Sequence, residues 1–521
     1  MSRSVLLLAL LASLTVSCEK SHTPSNKDKT QNENILRYDV SAPLTSLDPM
    51  GVADTGSTMV FPLLYSYLFV PNANGKLEPD LAAEWTYDPE NLAWTIRLRK
   101  DARFHDNRPV TAKDVKYSLE AGLGGLRSYL SGLVDRISLM SDTVICIRLK
   151  KNDSRFLEKI WDTDIVPHPN GRKVDYYDHP IGSGPFRFKQ RKGESQVVLV
   201  ANEDYFHGRP SLDGVIFYFQ PDKEKTWTRL LSGATDIAQE ISPKNYEIMR
   251  QYEKRFYFDL YPLNWYAILL YNTMDPYFSD VRARSALSRA IDTKYIVSRI
   301  LRGFGVAAGG PMGVESPYHN PEVRPIPYNP QKGLKLLRDT GWSLDKQGRY
   351  LEKKGRPFEF TILVLQESQI EKKVAQYLQL CLNDLGIRVH LQSLPFRELT
   401  TTYRRNNAFQ AVLTEISGVY RDPECIKSVW TCDLSKKSEA GVFENHALTR
   451  LIREALDETD PLTRRQLFYE IDALIASLQP GTFLFHKTAI DVISKRFTLP
   501  CPFSLTYEGI YRLRYASLNP N

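Results

Sequence analysis

Apolar and polar residues alternate over residues 94–99, and the apolar positions are Trp94, Ile96 and Leu98. A period of two is typical of a strand with one buried face. Asn107 favours a turn soon afterwards, because asparagine tolerates a positive φ. A helix is expected to begin after Thr111, since Asp114 three residues later makes a short-armed version of the capping box. The pattern therefore predicts a strand, a turn and a helix in succession.

Similar patterns predict regular elements along most of the chain. Strands are expected at residues 35–40, 143–149, 269–272, 358–364, 387–391 and 411–416. Helices are expected at residues 278–291, 292–303, 329–341, 374–385, 447–456 and 461–478, with Asp292, Asn329-Pro330 and Asp460-Pro461 as start signals. The strand, helix and strand between residues 358 and 391 are typical of a βαβ unit. These elements together predict a mixed α/β protein.

The N-terminus carries an apolar run over residues 5–14, after Arg3. The run is too short to span a bilayer and is typical of a signal peptide, which we place at residues 1–17. Cys18 directly follows, as in a bacterial lipobox, although Thr15 stands where leucine is usual. We expect lipid on Cys18 and a flexible tether over residues 18–35, which are mostly polar. The alternative is a plain secretory signal followed by a chance cysteine.

Length and composition describe an ordinary soluble protein of two or three domains. The chain has 521 residues, of which 42% are hydrophobic and 25% charged, and its formal charge is +7. Basic and acidic residues are interspersed, so we expect no nucleic-acid partner. Cys425 and Cys432 lie close enough in sequence to form a disulfide outside the cytoplasm, or they remain free thiols.

No catalytic motif supports an enzyme, and we expect neither a metal nor a cofactor. The chain contains no HExxH, GxSxG or Walker A sequence. Residues 303–308 fit a loose GxGxxA pattern, but they follow a predicted helix, whereas a dinucleotide loop must follow a strand. The histidines are scattered. His168 and His179 come closest to a pair, and no third ligand accompanies them.

Residues 75–119 resemble the signature region of the solute-binding proteins that include the oligopeptide- and dipeptide-binding proteins of ABC importers. The matching positions are Pro79, Leu81, Ala82, Trp85, Leu98, Arg99, Phe104, His105, Asp106, Pro109, Thr111, Ala112, Asp114, Val115, Tyr117 and Ser118. Asn107 replaces the usual glycine. Residues 181–186, 202–213 and 233–237 resemble further family motifs, in family order. The resemblance covers nearly the whole mature chain and implies a helix within the apolar run 59–70.

The resemblance implies a two-lobed periplasmic-binding-protein fold, type II-like with an extra domain. It has mixed sheets and a ligand cleft between the lobes. By analogy, domain I takes residues 36–58, 180–258 and 487–521. Domain II takes residues 59–179 and contains the signature region. Domain III takes residues 259–486.

The function implied by the resemblance is that of an extracytoplasmic, substrate-binding lipoprotein of an ABC importer. It captures oligopeptides between its lobes and delivers them to a membrane permease. We expect a monomer, anchored by lipid in the periplasm or on the outer surface of the inner membrane. One alternative keeps the fold and changes the ligand to a muropeptide, metal chelate, haem or glutathione. Another is a surface lipoprotein that has lost transport.

The predicted ligand site follows the strand at residues 411–416. Peptide binders of the family carry a segment like G-W-x-x-D-Y-x-x-P here, and its Asp pairs with the ligand's α-ammonium. Tyr420 and Pro423 match, but Val419 stands where the Asp is expected. A slipped alignment would instead let Asp422 or Glu415 serve. If Val419 is the true equivalent, either another acid anchors the ligand or the ligand lacks a free N-terminus. The expected ligand-binding residues are Ser417, Gly418, Val419 and Tyr420, with Trp265, Tyr266 and Asn272 as further candidates.

Overall fold

The computed structural model describes residues 34–519 apart from 52–53, 73–75, 125–127, 154, 171–174, 177, 220–222, 406–407, 419–424, 432–444, 500–509 and 511. The predicted signal peptide, most of the tether and the lipidation site at Cys18 lie outside the described residues. So do Val419 and Tyr420 of the predicted site, and Cys432 of the possible disulfide. These assignments stay predictions.

The strands of the described residues follow one another along the chain. They are β1 Ile35–Val40, β2 Phe69–Pro71, β3 Leu77–Pro79, β4 Ala82–Asp88, β5 Ala93–Leu98, β6 Val134–Ser141, β7 Val144–Leu149, β8 Phe186–Lys192, β9 Gln196–Ala201, β10 Gly214–Phe219, β11 Ile237–Ala238, β12 Phe256–Tyr271, β13 Gly305–Ala307, β14 Ser343–Leu344, β15 Leu351–Lys353, β16 Arg356–Pro357, β17 Glu359–Leu365, β18 Arg388–Leu394, β19 Ala411–Ser417, β20 Gly481–Ser494, β21 Phe497–Thr498 and β22 Ser517–Leu518.

The helices lie between these strands. They are α1 Thr55–Leu64, α2 Ala112–Gly124, α3 Leu157–Ile160, α4 Lys223–Ser232, α5 Pro243–Met249, α6 Val281–Ala290, α7 Thr293–Tyr295, α8 Pro330–Asp339, α9 Gln369–Asp384, α10 Phe396–Thr400, α11 Cys425–Trp430, α12 His446–Asp457 and α13 Pro461–Leu478. Short 3₁₀ or π turns occupy Ser128–Gly132, Arg250–Tyr252, Ile296–Ile300, Thr401–Arg405 and Arg512–Tyr515.

One large mixed sheet organises the described chain. Its strand order is β18-β17-β19-β12-β20-β11-β1-β10-β9-β8, and β13 pairs with β20 beside this path. The strands β17, β18 and β19 are parallel to one another, as are β1, β10 and β11. β12 and β20 run antiparallel to each other in the middle. The predicted βαβ unit is therefore present as β17, α9 and β18.

The long strands β12 and β20 join two lobes. Phe256–Pro262 pairs with the end of β20, and residues 266–270 pair with its beginning, with a register shift between the two stretches. Lobe 1 consists of β1, β8–β11 and the first stretch of β12. Lobe 2 consists of β13, β17–β19 and the second stretch. Across this shift β12 advances four residues while β20 advances two, so the pairing is irregular where the lobes join.

Each lobe has two apolar cores of its own. In lobe 1, one core packs against α1 and another against α4 and α5. In lobe 2, one face of the sheet packs against α6, α8 and α9, and the other packs against α12 and α13. Tyr266 and Ala267 show the alternation, because they are successive residues of β12 that belong to opposite faces.

The signature region forms a separate four-stranded sheet, β4-β5-β7-β6, which packs against α2. The predicted turn is confirmed by Asn107, whose φ is 70°. Asp114 accepts hydrogen bonds from the backbone N–H of Thr111 at 2.9 Å and from its hydroxyl at 2.6 Å, as in half of a capping box. The backbone N–H of His105 donates to the carbonyl of Gly182 at 2.8 Å. The signature thus joins this sheet to the motif at residues 181–186.

The apolar run at residues 59–70 is only partly helical. Helix α1 covers Thr55–Leu64, and the rest of the run leads into the short strand β2. The division of the chain into domains I, II and III is a prediction that the strand order does not test, because β12 and β20 each belong to both lobes.

Candidate ligand-binding site

Three parallel strands of lobe 2 end at one edge of the sheet, where β17, β18 and β19 finish at Leu365, Leu394 and Ser417. Ligands of open α/β sheets bind outside the carboxyl ends of such strands. Residues 263–267 of β12 and 485–488 of β20 cross the same edge, beside the end of β19. We call this edge the strand-end site.

The irregular stretch of β12 holds the end of β19 in place. The carbonyl of Asn264 accepts a hydrogen bond from the backbone N–H of Gly418 at 2.6 Å. The side-chain amide of Asn264 donates to the carbonyl of Gly418, also at 2.6 Å. Both backbone groups of Gly418 are therefore bound by one residue of the opposite strand.

Gly418 is required by close packing. A Cβ atom at this position would lie 2.6 Å from the carbonyl oxygen of Asn264 and 2.9 Å from that of Pro311. Both neighbours are backbone atoms, which cannot rotate away as a side chain can. The structure thus gives the predicted site residue Gly418 a role in shaping the backbone. Whether it also contacts a ligand stays a prediction.

Trp265 and Ser417 are Cα partners across β12 and β19. Directly opposed residues of an antiparallel pair project to the same side of the sheet. Trp265 is 51% exposed, which is unusual for so large an apolar side chain within a sheet. These two predicted residues lie together at the strand-end site.

The side chain of Tyr266 lies on the opposite face of the sheet, and Asn272 lies at the other end of β12. Tyr266 is completely buried in the core beneath α12 and α13. Asn272 follows the other end of β12, where its side-chain amide donates to the carbonyl of Phe409 at 3.0 Å. Both positions favour structural roles, since one is closed to solvent and the other stands at the far end of the β12–β19 pair from Ser417.

Glu415 faces the same side as Trp265 and Ser417, because it is the Cα partner of Ala267. Its carboxylate forms an ion pair with the ammonium group of Lys487 on β20. About a quarter of each of these side chains is exposed. Glu415 was one of the two acids that a slipped alignment would bring into the site, and it is the one that the structure describes.

Glu371 lies beside this ion pair, in the first turn of α9. Burial first, and then the neighbouring charge of Glu415, raise the pKa of Glu371 to about 7, while Lys487 opposes the shift. Glu371 follows Ser368 by three residues, and its backbone N–H donates to the Ser368 hydroxyl at 3.2 Å. The Ser-x-x-Glu spacing is that of an ordinary capping box, so sequence reasoning had no reason to assign Glu371 to a site.

A buried histidine lies under the irregular stretch of β12. His486 is 1% exposed and is the Cα partner of Tyr266. Burial lowers the pKa of His486 to about 4, although hydrogen bonds to the backbone at Leu263 and Trp265 act in the other direction. A neutral imidazole thus supports the backbone on which Trp265 stands.

Within the ranges that the structure describes, no group of three or more His, Cys, Asp or Glu side chains is placed to hold a metal ion. No helix among those residues is both long and apolar enough to cross a membrane. Residues 303–308 follow a π turn and lead into β13, the short strand that pairs with β20. A dinucleotide-binding loop would need a strand directly before it and a helix directly after it, and this stretch has neither.

Comparison with known proteins gives matches over most of the chain. The family model of the bacterial extracellular solute-binding proteins, family 5, matches residues 76–432. The oligopeptide-binding protein AppA of Bacillus subtilis is 26% identical over 93% of this chain and 93% of its own length. Heme-binding protein A of Haemophilus influenzae is 23% identical over 98% of each chain.

Solved structures show the same fold. AppA, solved in complex with a nonapeptide, has a TM-score of 0.74 at 24% identity and covers 93% of this chain and 99% of its own. NikA from Brucella suis, solved in complex with Fe(III)-EDTA, has a TM-score of 0.81 at 22% identity and covers 93% of this chain and all of its own, 100%. The predicted fold class, mixed α/β with two lobes, is confirmed.

Proposed function

Because the chain belongs to family 5 of the bacterial extracellular solute-binding proteins, we propose that it is the substrate-binding component of an ABC importer and that its cargo is a peptide. The observation that carries the proposal is the similarity to AppA over 93% of both sequences. AppA is named for oligopeptides and was solved with a nonapeptide in place. Its fold matches 93% of this chain.

The strand-end site suits an extended ligand. A peptide that pairs in β fashion satisfies its main-chain groups regardless of its sequence. Ser417 and Gly418 end a strand at the edge where the lobes meet, and Trp265 offers an exposed aromatic surface beside them. Peptide side chains then enter pockets lined by the neighbouring residues, with water filling the space that a small side chain leaves.

Closure around the ligand is the motion that the two lobes allow. The register shift in β12 lies between the lobe 1 and lobe 2 stretches, so rotation there changes the angle between the lobes without breaking either core. Contacts made only in the closed form would bias the protein toward that form when a peptide is present.

Mass spectrometry under native conditions tests the nature of the cargo. Protein purified without added ligand is expected to carry a mixture of peptides, seen as mass increments that disappear after denaturation. A single haem or a metal chelate in their place would overturn the peptide assignment and favour the ligands for which other relatives are named.

Small-angle scattering tests the motion. The radius of gyration of protein stripped of ligand should decrease when a saturating peptide pool is added. An unchanged radius in the presence of demonstrated binding would contradict the closure mechanism and leave peptide capture itself standing.

The setting that we propose is outside the cytoplasm, with the chain held to the membrane by lipid on Cys18 and a tether over residues 18–35. A permease of the importer class would receive the cargo from the closed lobes. We propose a monomer with domain I at residues 36–58, 180–258 and 487–521, domain II at 59–179 and domain III at 259–486.

A further inference from the structure

Three charged side chains from different elements meet at the strand-end site. Glu415 comes from β19, Lys487 from β20 and Glu371 from the first turn of α9. Glu415 and Lys487 form an ion pair, and both charges act on the carboxyl group of Glu371. We call these three residues the acid-rich triad.

The acid-rich triad has one acid more than it has bases. Lys487 is the cation that acts on Glu371, and it is already engaged by Glu415. Glu371 is 6% exposed, and its Oε2 atom has no hydrogen-bond partner among the residues that the structure describes. A buried carboxylate without a full set of partners is unfavourable, and such groups normally pair with a cation or take up a proton. The site is therefore one positive charge short.

The fold itself does little to neutralise Glu371. Glu371 lies in the first turn of a sixteen-residue helix, where the helix dipole favours its ionised, negatively charged form. A hydrogen bond from the backbone at Leu365 also favours the ionised form. Burial and the charge of Glu415 outweigh both effects, since the pKa of Glu371 is raised to about 7. A cation that arrived from outside would reverse this balance.

An aromatic surface adjoins the triad on the side open to solvent. Trp265 lies diagonally across β12 and β19 from Glu415, and both project to the same face of the sheet. An indole ring next to carboxylates is the combination that recognises organic cations, because the ring face attracts a positive charge that the acids then neutralise. Glu415 and Lys487 are each about a quarter exposed, so this side of the triad is open to a ligand.

We propose that Glu371, Glu415 and Trp265 form a subsite for a cationic group of the ligand, an ammonium or a guanidinium. This inference rests on the proposed peptide-binding function and specifies which peptides are preferred. The ligand cation contacts Glu415 and the Trp265 ring from the solvent side, and Glu371 supplies the second negative charge from below. With the ligand cation in place, the carboxylates of Glu371 and Glu415 face two positive charges, one on Lys487 and one on the ligand, and the charges of the site balance.

Matched peptides test the proposal and identify the source of the cation. Alanine pentapeptides carrying one lysine at each position in turn are compared with norleucine peptides, which have a similar shape and no charge. Every peptide is used both with a free amine and N-acetylated. We expect at least one cationic position, α-amino or side-chain, to improve the dissociation constant roughly tenfold or more over its neutral counterpart.

The variants Glu371→Gln and Glu415→Gln keep the side-chain shape and remove one charge each. Each is expected to reduce, several-fold, the ratio of the affinity for the cationic peptide to the affinity for the neutral peptide. Glu470→Gln is the matched control, since Glu470 is an exposed acid on α13, away from the site. It should change neither affinity.

Calorimetry in buffers of different ionisation enthalpy supplies a readout that a purely structural role would not affect. Near pH 7, binding of the cationic peptide to the native protein should release protons as Glu371 ionises, and Glu371→Gln should abolish that release. If no peptide binds at all, the proposed function fails. If peptides bind but no charged position is preferred, or if the two variants keep the full preference, the peptide function stands and the cation subsite is wrong.

Discussion

Asp259 and Asp491 stand directly opposite each other on the two strands that join the lobes. Asp491 is completely buried and accepts hydrogen bonds at 2.9 Å from the backbone N–H of Glu240 and at 2.9 Å from the hydroxyl of Tyr261. Burial, together with the charges of Glu240 and Asp259, raises the pKa of Asp491 to about 7. The connection between the lobes thus contains a carboxyl group that titrates near neutral pH.

The variant Asp491→Asn is expected to stabilise the protein above pH 7. A carboxyl whose pKa is raised on folding contributes stability that is present below its unfolded pKa near 4 and is lost as the pH rises through about 7. Asparagine cannot ionise, so the variant should be more stable than the native protein by on the order of 1–3 kcal/mol at pH 8, and this gain should shrink as the pH falls and vanish near pH 4. Denaturant titrations at both values measure this difference. The control Asp135→Asn changes an exposed acid of β6 and should leave the denaturant unfolding curves at both pH values unchanged. An Asp491→Asn variant that is less stable than the native protein at pH 8 would contradict the expectation.

Gly418→Ala is expected to destabilise the strand-end site. The added methyl group would press against the backbone carbonyls of Asn264 and Pro311 and force β12 and β19 apart. Overpacking of this kind costs roughly 1–3 kcal/mol, and peptide affinity should fall with it. Thermal unfolding and a peptide titration measure the two effects. Gly124→Ala is the matched control, because the space around a Cβ at that position is open. Equal stability of the two variants would disprove the close-packing argument.

His486 predicts a sensitivity to acid. A histidine whose pKa is lowered on folding, here to about 4, contributes stability above its unfolded pKa near 6.5, and this stability is lost as the pH falls toward 4. His486→Gln keeps a donor for the backbone carbonyls nearby and cannot be protonated in this range. The variant should therefore lose less stability than the native protein between pH 6.5 and pH 4.5. His179→Gln, which changes an exposed histidine, should follow the native curve.

Val419→Asp tests the alignment of the predicted binding segment. If Val419 occupies the place of the family's ammonium-binding Asp, the new carboxylate adds a charge-assisted hydrogen bond of on the order of 1.5–3 kcal/mol. Affinity for a free-amine peptide should then increase roughly tenfold, and affinity for its N-acetylated counterpart should stay the same. Isothermal titration of the matched pair separates the two results. Equal changes for both peptides, or a loss for both, would reject the alignment.

Cys18→Ser tests the anchor. Without the thiol no lipid can be attached, so the variant should appear in the soluble fraction where the native protein sediments with membranes. Cell fractionation followed by immunoblotting measures the distribution. A serine variant that still sediments with membranes would show that lipid on Cys18 is not what retains the chain.

Local structure was predictable wherever a few adjacent residues determine it. The sequence predicts helix caps at Asp292, Asn329 and Asp460, and each accepts a hydrogen bond from a backbone N–H of the turn that follows. The sequence also predicts a turn at Asn107, and this residue has the positive φ that such a turn requires. These signals need no information from the rest of the chain, because the donor and the acceptor lie within a few residues.

Contacts between distant segments could not be predicted in the same way. Nothing in the sequence around Glu371 shows that Glu415 and Lys487 will face it, since the three residues come from three elements that only the folded sheet brings together. The burial of Tyr266 and the exposure of Trp265, its neighbour in sequence, depend on the side of β12 to which each belongs. A register shift of one residue exchanges the two faces, and the shift in β12 is set by its pairing with β20.

β20 is the last described strand of the large sheet in chain order, and this order determines when the two lobes come to share one sheet during synthesis. Gly481–Ser494 is the strand that separates β12 from β11 in the sheet, and it pairs with both. A nascent chain that lacks it has only two unconnected half-sheets, one built on β12 and β19 and the other on β1 and β10. Because contacts between remote segments form slowly, the union of these halves belongs to the last stage of folding. A stop codon shortly before residue 481 would therefore leave two partly formed lobes with no common sheet, whatever the quality of their separate cores.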